Sequence, residues 1–377
     1  MTERTAKAGH PHRKLRVGVL FGGRSGEHEV SLISARGVMQ AIDKDKYEVV
    51  PIGITKEGRW IMDGDPLRLL GEAEQATAAA PTLQVALAPR AGVSHSDASL
   101  QNLDVVFPVL HGPFGEDGTV QGFLELAGLP YVGASVMTSA VGMDKAASKA
   151  IFSAQGLPIL PYRVFLRQTW EAGPAQVVAD CEAAFSYPMF TKPANLGSSV
   201  GVTKAHQRSE LMAGLDDAAR FDRKLIVEQG IEAREIELSV LGNDDPMVSV
   251  PGEIIPSREF YSYAAKYLDN ASQLLIPAPL TAEQTRWVQQ LALRAFTALD
   301  GAGMARVDFL MDKATGQIWL NELNTIPGFT PISMYPKLWE ASGIGYAELI
   351  DRLIQLAIER HEDKGRSATS FDVARAT

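Results

Sequence analysis

The first third of the chain alternates short apolar runs with helix-like segments, and no other feature restricts its fold as much. Residues 15–21 form a β-prone run that breaks at Gly22 and Gly23, and residues 29–42 then carry apolar side chains at helical spacing. Three more segments of the same two kinds follow, at 47–54, 105–110 and 119–127. Strands that alternate with helices form parallel sheets, so the sequence predicts an N-terminal α/β domain.

The rest of the chain mixes both kinds of element without strict alternation. Asp144 is a suitable N-cap for a helix that ends at Gly156 and opens a second domain. The other predicted elements are strands at 224–242 and 247–256, a helix at 282–299, two strands within 304–324 around a turn at 312–316, and an amphipathic helix at 346–360. The Ala-rich stretch 71–103 is interpreted as a peripheral connection, and the tail from His361 onward as mobile.

Composition excludes several classes of protein. The 377 residues carry a net charge of -9, which disfavours a protein whose main partner is nucleic acid. The single cysteine, Cys181, cannot form an intramolecular disulfide, and no Cys/His spacing suggests structural zinc. The N-terminus does not resemble a signal peptide, and no run of about 18 apolar residues predicts a membrane span. We therefore expect a cytoplasmic protein with no nucleic-acid or membrane partner.

The stretch 304–324 is the most informative for chemistry. If 306–310 pairs with 318–324, one face carries Arg306, Asp308, Leu320, Glu322 and Asn324. Asp308 and Glu322 would then be diagonal neighbours, about 7–8 Å apart at the backbone. Their oxygens and the Asn324 carbonyl suit Mg²⁺ or Mn²⁺, and two such ions can bridge nucleotide phosphates. From this stretch alone, an edge hairpin with a solvated polar face stays open, although the glycine loop that follows Asn324 favours a site.

The stretch KPANLGSSVG, residues 192–201, has the composition of a phosphate-binding loop. Its glycines permit a tight backbone path, so that amide groups and the hydroxyls of Ser198 and Ser199 can surround phosphate oxygens while Lys192 supplies charge. It is not a Walker A loop, because no GK[ST] tripeptide opens a helix here. A plain Gly/Ser hairpin is the alternative.

Three further stretches are candidates for substrate contact. The turn GGRSGEHEVS, residues 22–31, places Glu27 where it can receive an ammonium group, although Glu27 and Glu29 also suit a helix start without any ligand. HGPFGEDG, residues 111–118, has glycines that let backbone and His111 approach a ligand at the end of a parallel strand. REFYSYAAKY, residues 258–267, is interpreted as a closing loop, with a tyrosine-rich strand edge as the alternative.

Taken together, these stretches resemble the D-alanine–D-alanine ligases of the ATP-grasp superfamily in order and spacing from about residue 16 to residue 360. The matching motifs are GGRSGEHEVSL, HGPFGEDGTVQG, MDKAASK, KPANLGSSVGV, AAKY, ARVDFL and NELNTIPGFTPISMYP. The resemblance implies an α/β N-terminal domain at 15–135 and two α+β domains that grasp ATP, at 136–230 and 231–362, with flexible tails at 1–14 and 363–377. It also implies a homodimer.

The resemblance implies ATP-dependent joining of two D-alanines through an acyl phosphate, giving ADP and phosphate, for peptidoglycan precursor synthesis. The implied ATP-binding residues are Lys145, Lys192, Ser198, Ser199, Glu228, Gln229, Gly230, Ile231, Glu235 and Lys266. Within this set Glu228 to Ile231 would form the adenine-binding hinge, Glu235 would hold the ribose, and Lys266 would reach the γ-phosphate. Asp308, Glu322 and Asn324 would hold two Mg²⁺ or Mn²⁺ ions.

The implied D-alanine site combines residues from all three domains. Glu27 would anchor the first ammonium group in a hydrogen-bonded set with Ser198 and Tyr267, and His111 would contact the same substrate. Arg306 and the Gly328 amide would hold the oxyanion, a role in which one lost donor costs about 10²–10³ in rate. Ser333, with Met334 beside it, would hold the second substrate.

Two rivals are weighed against this enzyme. One is an ATP-grasp ligase with D-lactate or D-serine as acceptor; ester-forming relatives have histidine in place of Tyr267, which favours the peptide. Met334, where many relatives have leucine, and the long connection 71–103 depart from the family pattern without touching the chemistry. The other rival is a nucleotide-sensing protein without turnover, which the intact set around Arg306 and Glu322 disfavours.

Overall fold

The N-terminal sheet confirms the predicted parallel α/β arrangement. The computed structural model describes residues 13–71, 100, 102–256 and 273–368. The sheet has the order β3-β2-β1-β4, in which β1 pairs in parallel with β2 and β4, and β3 is antiparallel to β2. Its strands are β1 (Leu15–Gly22), β2 (Tyr47–Ile54), β3 (Trp60–Ile61) and β4 (Val105–Val109). Its helices are α1 (His28–Ala41), α2 (Pro66–Gly71) and α3 (Thr119–Leu126).

A four-stranded antiparallel sheet occupies the middle of the chain, in the order β5-β8-β6-β7. Its strands are β5 (Tyr162–Leu166), β6 (Met189–Pro193), β7 (Thr203–Ala205) and β8 (Lys224–Gln229). Helices α4 (Val136–Met143) and α5 (Lys145–Ala154) precede it, and α6 (Arg167–Ala172), α7 (Pro174–Ala184) and α8 (Arg208–Phe221) lie within it. As predicted, the Asp144 side chain caps α5, where it accepts from the amides of Ala146 and Ala147. A separate small core forms around Trp170, Cys181 and Leu215.

The third sheet carries the predicted carboxylate hairpin, in the order β12-β11-β9-β13-β14 with β10 paired to β9. Its strands are β9 (Ala233–Gly242), β10 (Met247–Val248), β11 (Gly252–Ile255), β12 (Gln273–Leu275), β13 (Gly303–Asp312) and β14 (Ile318–Asn324). Helix α9 (Ala282–Ala298) packs on this sheet and begins with a capping box formed by Thr281 and Gln284. The predicted strands at 224–242 and 247–256 are each split, because the chain turns at Gly230 and again before Gly252.

The last two helices return to the N-terminal sheet. Helices α10 (Met334–Ala341) and α11 (Tyr346–Gly365) bury Trp339 and Leu353 in the same core as Val19 and Phe107 of β1 and β4. Each of the three sheets lies within one of the predicted domains, while the domain boundaries themselves stay predictions.

The prediction that the last helix ends near 360 was wrong, since α11 continues to Gly365. Apolar periodicity stops at His361, but Glu362 and Lys364 are good helix formers, and Lys364 forms an ion pair with Glu125 at 2.6 Å. Among the described residues, no helix is long and apolar enough to cross a membrane.

Candidate active site

The hairpin β13–β14 has a different register from the one expected. Asp308 pairs directly with Glu322, and Arg306 with Asn324, but Phe309 pairs with Leu320. Asn321 is therefore an extra residue, a β-bulge that shifts the alternation of side chains by one position. The expected diagonal relation between Asp308 and Glu322 was wrong. So was the placement of Leu320 on their face, because Leu320 is fully buried in the core behind the sheet.

The bulge strengthens the case for a cation site. Directly opposite residues have Cβ atoms about 4.5–5.5 Å apart, which brings the Asp308 and Glu322 carboxylates closer than a diagonal pair would be. Asn324 adds an amide oxygen on the same face, although it also accepts from the Ile326 amide at 3.2 Å. Hard oxygen donors of this kind fit Mg²⁺ or Mn²⁺. Within the described residues, no group of three or more His, Cys, Asp or Glu side chains is arranged to hold a metal, so the amide is needed to complete this set.

Arg306 lies at the centre of this face. Its guanidinium forms two hydrogen bonds with Asp308, at 2.7 and 2.6 Å, and an ion pair with Glu237 at 3.1 Å. Burial alone would lower the pKa of Arg306, but the two carboxylates raise it well above its ordinary value. Arg306 is thus a fixed cation with a defined orientation, as a donor to a developing oxyanion should be. Glu237 was not predicted from the sequence, although its spacing of two from Glu235 on β9 indicates a shared face.

The glycine–serine loop faces the start of α1. The Ser198 hydroxyl donates to the Glu27 carboxylate, so the predicted contact between these two residues is present. Ser198 and Ser199 have positive φ angles of 52° and 59°, which turn the loop sharply toward the pocket. The other expected members of this site, Tyr267 and Lys266, lie outside the described residues.

An inner pocket of about 130 Å³ gathers most of the predicted D-alanine site. Its lining includes Glu27, His111, Lys145, Ser198, Arg306, Glu322, Asn324, Gly328, Ser333 and Met334. Gly328 is required for close approach, because a Cβ atom there would lie 2.6 Å from the Ser333 hydroxyl. The Ser333 hydroxyl itself accepts from the Thr330 amide at 3.0 Å.

His111 is buried on the wall of this pocket and is held on both ring nitrogens. Nδ1 lies 3.2 Å from the Ile326 carbonyl, and Nε2 lies 3.4 Å from the Ser34 hydroxyl. A carbonyl oxygen can only accept, so Nδ1 carries the proton. Burial lowers the pKa of His111, and although Glu27 opposes this effect, the net shift is downward. His111 therefore presents a neutral ring to the pocket.

An outer pocket of about 440 Å³ gathers most of the predicted nucleotide residues, and its volume falls in the range of about 300–1,000 Å³ typical of ligand sites. Its lining includes Lys145, Lys192, Ser198, Ser199, Glu228, Gln229, Ile231, Glu235, Asp308 and Glu322. Gly230 does not line this pocket. Its amide donates to the Pro188 carbonyl at 2.9 Å, which holds the backbone of the predicted hinge in place. The two pockets meet at the residues that line both of them, which are Lys145, Gly197, Ser198, Glu237 and Glu322.

A buried charge cluster forms one end of the outer pocket. Glu228 contacts Lys149 at 3.0 Å and Lys192 at 2.7 Å. Burial would raise the pKa of Glu228, but the two lysines outweigh it and lower this pKa to about 2. Burial would lower the pKa of Lys192, but the Glu228 carboxylate outweighs burial and raises the pKa of this lysine. The burial of Lys149 was not predicted, because lysine is almost never fully buried, although its position one turn after Lys145 puts both lysines on one face of α5.

Comparison with known proteins agrees with this geometry. The profile described as "D-ala D-ala ligase N-terminus" matches residues 16–134, and "D-ala D-ala ligase C-terminus" matches 151–355. A D-alanine–D-alanine ligase of Heliobacterium modesticaldum is 51% identical over 362 residues, 94% of this chain and 98% of the relative. One from Thermoanaerobacter sp. is 52% identical over 357 residues, 94% and 99% of the two chains.

Solved structures give the same result. The D-alanine–D-alanine ligase from Coxiella burnetii superimposes with a TM-score of 0.78 at 36% identity, over 96% of this chain and 97% of the other. A D-Ala:D-Ser ligase from Enterococcus faecalis gives 0.79 at 36% identity, over 92% and 100%. An α/β domain followed by two antiparallel sheets that enclose a cleft defines an ATP-grasp enzyme. The solved relatives show that the enzyme is a ligase. More narrowly, the chain belongs to the D-alanine–D-alanine ligase family.

Proposed function

We propose that this ligase binds two D-alanines in the inner pocket and ATP in the outer pocket, and joins the amino acids at the point where the pockets meet. The observation that carries the proposal is the position of Lys145 and Glu322 on the boundary, 3.4 Å apart. A γ-phosphoryl group at that boundary is within reach of a carboxylate held in the inner pocket. The geometry therefore suits phosphoryl transfer from one pocket to the other.

The reaction has two steps. A carboxylate oxygen of the first D-alanine attacks the γ-phosphorus, the bond to the β-phosphate oxygen breaks, and ADP leaves. The free amine of the second D-alanine then attacks the acyl carbon, loses a proton, and displaces phosphate. Arg306 and the Gly328 amide donate to the oxyanion of this tetrahedral state, and Lys145 and Lys192 offset the phosphate charge.

Asp308, Glu322 and Asn324 are the residues we assign to the metal ions. Mg²⁺ or Mn²⁺ bound there would neutralise charge on the nucleotide phosphates. This role is compatible with the contact between Arg306 and Asp308, because a carboxylate has lone pairs for both partners.

The direct test is a coupled assay for ADP with D-alanine as the sole amino acid. We expect saturable, D-alanine-dependent ADP formation and one dipeptide per ADP. The D-Ala:D-Ser neighbour makes D-serine the relevant second acceptor, and D-lactate tests the ester-forming alternative. If D-alanine alone gave no ADP while D-alanine with D-serine did, the assignment of the acceptor would have to change.

We predict that Ser198→Ala lowers kcat/KM for D-alanine by about 10- to 100-fold, because a hydrogen bond to a charged group is worth about 1.5–3 kcal/mol. The lost contact is the one to Glu27. Ser153→Ala, at an exposed position on α5, is the matched control and should leave the rate unchanged. Equal rates for the two variants would remove the role assigned to Ser198.

We further propose a cytoplasmic homodimer that supplies a peptidoglycan precursor. The single buried cysteine suits a reducing compartment. Ile33 and Leu126 are large apolar side chains exposed on α1 and α3, as expected near an interface between subunits. Sedimentation of the purified chain should give twice the monomer mass.

A further inference from the structure

Glu116 is a second buried carboxylate in the inner pocket, and the two steps of ligation do not use it. Glu116 and Glu27 are only 7% and 9% exposed, and both line this pocket. The Gly112 amide donates to Glu116 Oε2 at 2.6 Å, which fixes the carboxylate in place. A Cβ atom on Gly197 would lie 3.2 Å from Glu27 Oε2 and 3.9 Å from Glu116 Oε2. Oxygens of both carboxylates therefore border the same small space.

Among the described residues, the positive charges near this space do not offset the effect of burial on Glu116. Burial and the neighbouring Glu27 raise the pKa of Glu116, and the weaker effects of the Gly112 amide, Arg306 and Lys145 do not offset them. Arg306 is engaged by Asp308 and Glu237, and Lys145 by the Leu196 carbonyl and Glu322. His111 is neutral, because burial lowers its pKa. Without a ligand, burial beside Glu27 therefore favours the protonated form of Glu116.

We propose that Glu116 and Glu27 together bind the ammonium group of the first D-alanine, and that Glu116 releases its proton to solvent when this group binds. The proposal rests on the proposed function, because it assigns residues to the ammonium group of a D-alanine bound in that same pocket. An ammonium held between two carboxylates keeps all its protons and has no lone pair. The first D-alanine therefore cannot act as the nucleophile, and only the second attacks. Glu116 thus fixes which amino acid is donor and which is acceptor.

Glu116→Gln separates this role from a structural one, because glutamine has the shape of the protonated acid and can still accept from Gly112. A two-site ligase has one Michaelis constant for each D-alanine. We expect the donor constant to rise about 10- to 100-fold, and the acceptor constant to change little. Asp117→Asn is the matched control. The Asp117 side chain accepts from the Phe114 and Thr119 amides, and this substitution should leave both Michaelis constants unchanged. An unchanged donor constant in Glu116→Gln would overturn the proposal, because Glu116 would then stay neutral in the complex.

A second measurement needs no variant. Calorimetric titration of D-alanine into the wild-type protein with a non-hydrolysable ATP analogue, in two buffers of different ionisation enthalpy, should show that a proton is released on binding. Release of no proton at any pH at which the protein stays folded would contradict the protonated state of Glu116 in the free protein. Failure of this proposal is distinct from failure of the proposed function, in which the wild-type protein would form no D-alanine-dependent ADP.

Discussion

Glu322→Gln is expected to slow D-alanine-dependent ADP formation about a thousandfold or more while the protein stays folded. Glu322 lines both pockets and lies directly opposite Asp308, and the proposed function assigns these two carboxylates to a shared metal ion. A neutral amide is a much weaker ligand, and a loss of about 4 kcal/mol of charge stabilisation corresponds to about 10³ in rate. The measurement is kcat at saturating ATP and D-alanine, repeated over a titration of Mg²⁺ and of Mn²⁺.

Two controls make the result specific. Glu348→Gln removes a carboxylate from an exposed ion pair with Arg352 on α11 and should have normal activity, because exposed pairs of this kind are worth well below about 1 kcal/mol. Thermal unfolding of Glu322→Gln should match the wild type within a few degrees, since the side chain is only half-buried. Near-normal kcat at saturating Mg²⁺ would contradict the proposed role of Glu322 as a metal ligand.

The order of strands and helices was predictable because it depends on local periodicity. The run 15–21 and the helical spacing that follows it are visible within about 30 residues, and both are present as β1 and α1. The same reasoning found α9 and the turn at 312–316. It missed the last turn of α11, where an ion pair with a distant helix stabilises a polar segment that has no apolar stripe.

The register of the hairpin β13–β14 could not be predicted from local periodicity. Alternation along 318–324 assigns Leu320 and Glu322 to one face, and only the bulge at Asn321 separates them. A bulge depends on how β13 and β14 fit together and on how each packs against α9, so no pattern within β14 signals it. The sequence nevertheless predicted that the polar residues of the two strands lie together, and the structure pairs Arg306 with Asn324 and Asp308 with Glu322. Their functional roles stay predictions.

The buried charges were the least predictable part of the site. Lys149 and Glu116 lie in the motifs MDKAASK and HGPFGEDGTVQG, but nothing in these motifs shows that the two side chains are buried, since the groups that make burial tolerable come from elsewhere in the chain. Glu228 reaches Lys149 from strand β8, and Glu27 reaches the neighbourhood of Glu116 from the start of α1. Fully buried ionic groups require such partners, and only the folded chain shows them.

Lys149→Met is expected to lower the free energy of unfolding by about 3–5 kcal/mol, because removal of one partner leaves part of a buried charge uncompensated. The side chains of Lys149 and Glu228 are each only 2% exposed, so water cannot replace the lost ammonium. Methionine keeps a similar length and isolates the effect of charge. Denaturant unfolding at neutral pH measures the difference, and KM for ATP should rise as well, because Glu228 lines the outer pocket.

The lowered pKa of Glu228 also predicts how the stability of the fold depends on pH. The pKa of Glu228 is lowered from its ordinary 4.5 to about 2, so its ionised form stabilises the fold fully above pH 4.5 and loses that contribution as the pH falls toward 2. The difference in the free energy of unfolding between the wild type and Lys149→Met should therefore become smaller as the pH falls through that range. Lys149→Met combined with Glu228→Gln should recover part of the lost stability at neutral pH, because the uncompensated carboxylate is gone. If the single variant were as stable as the wild type at neutral pH, Lys192 alone would suffice to hold Glu228 ionised, and Lys149 would have no electrostatic role.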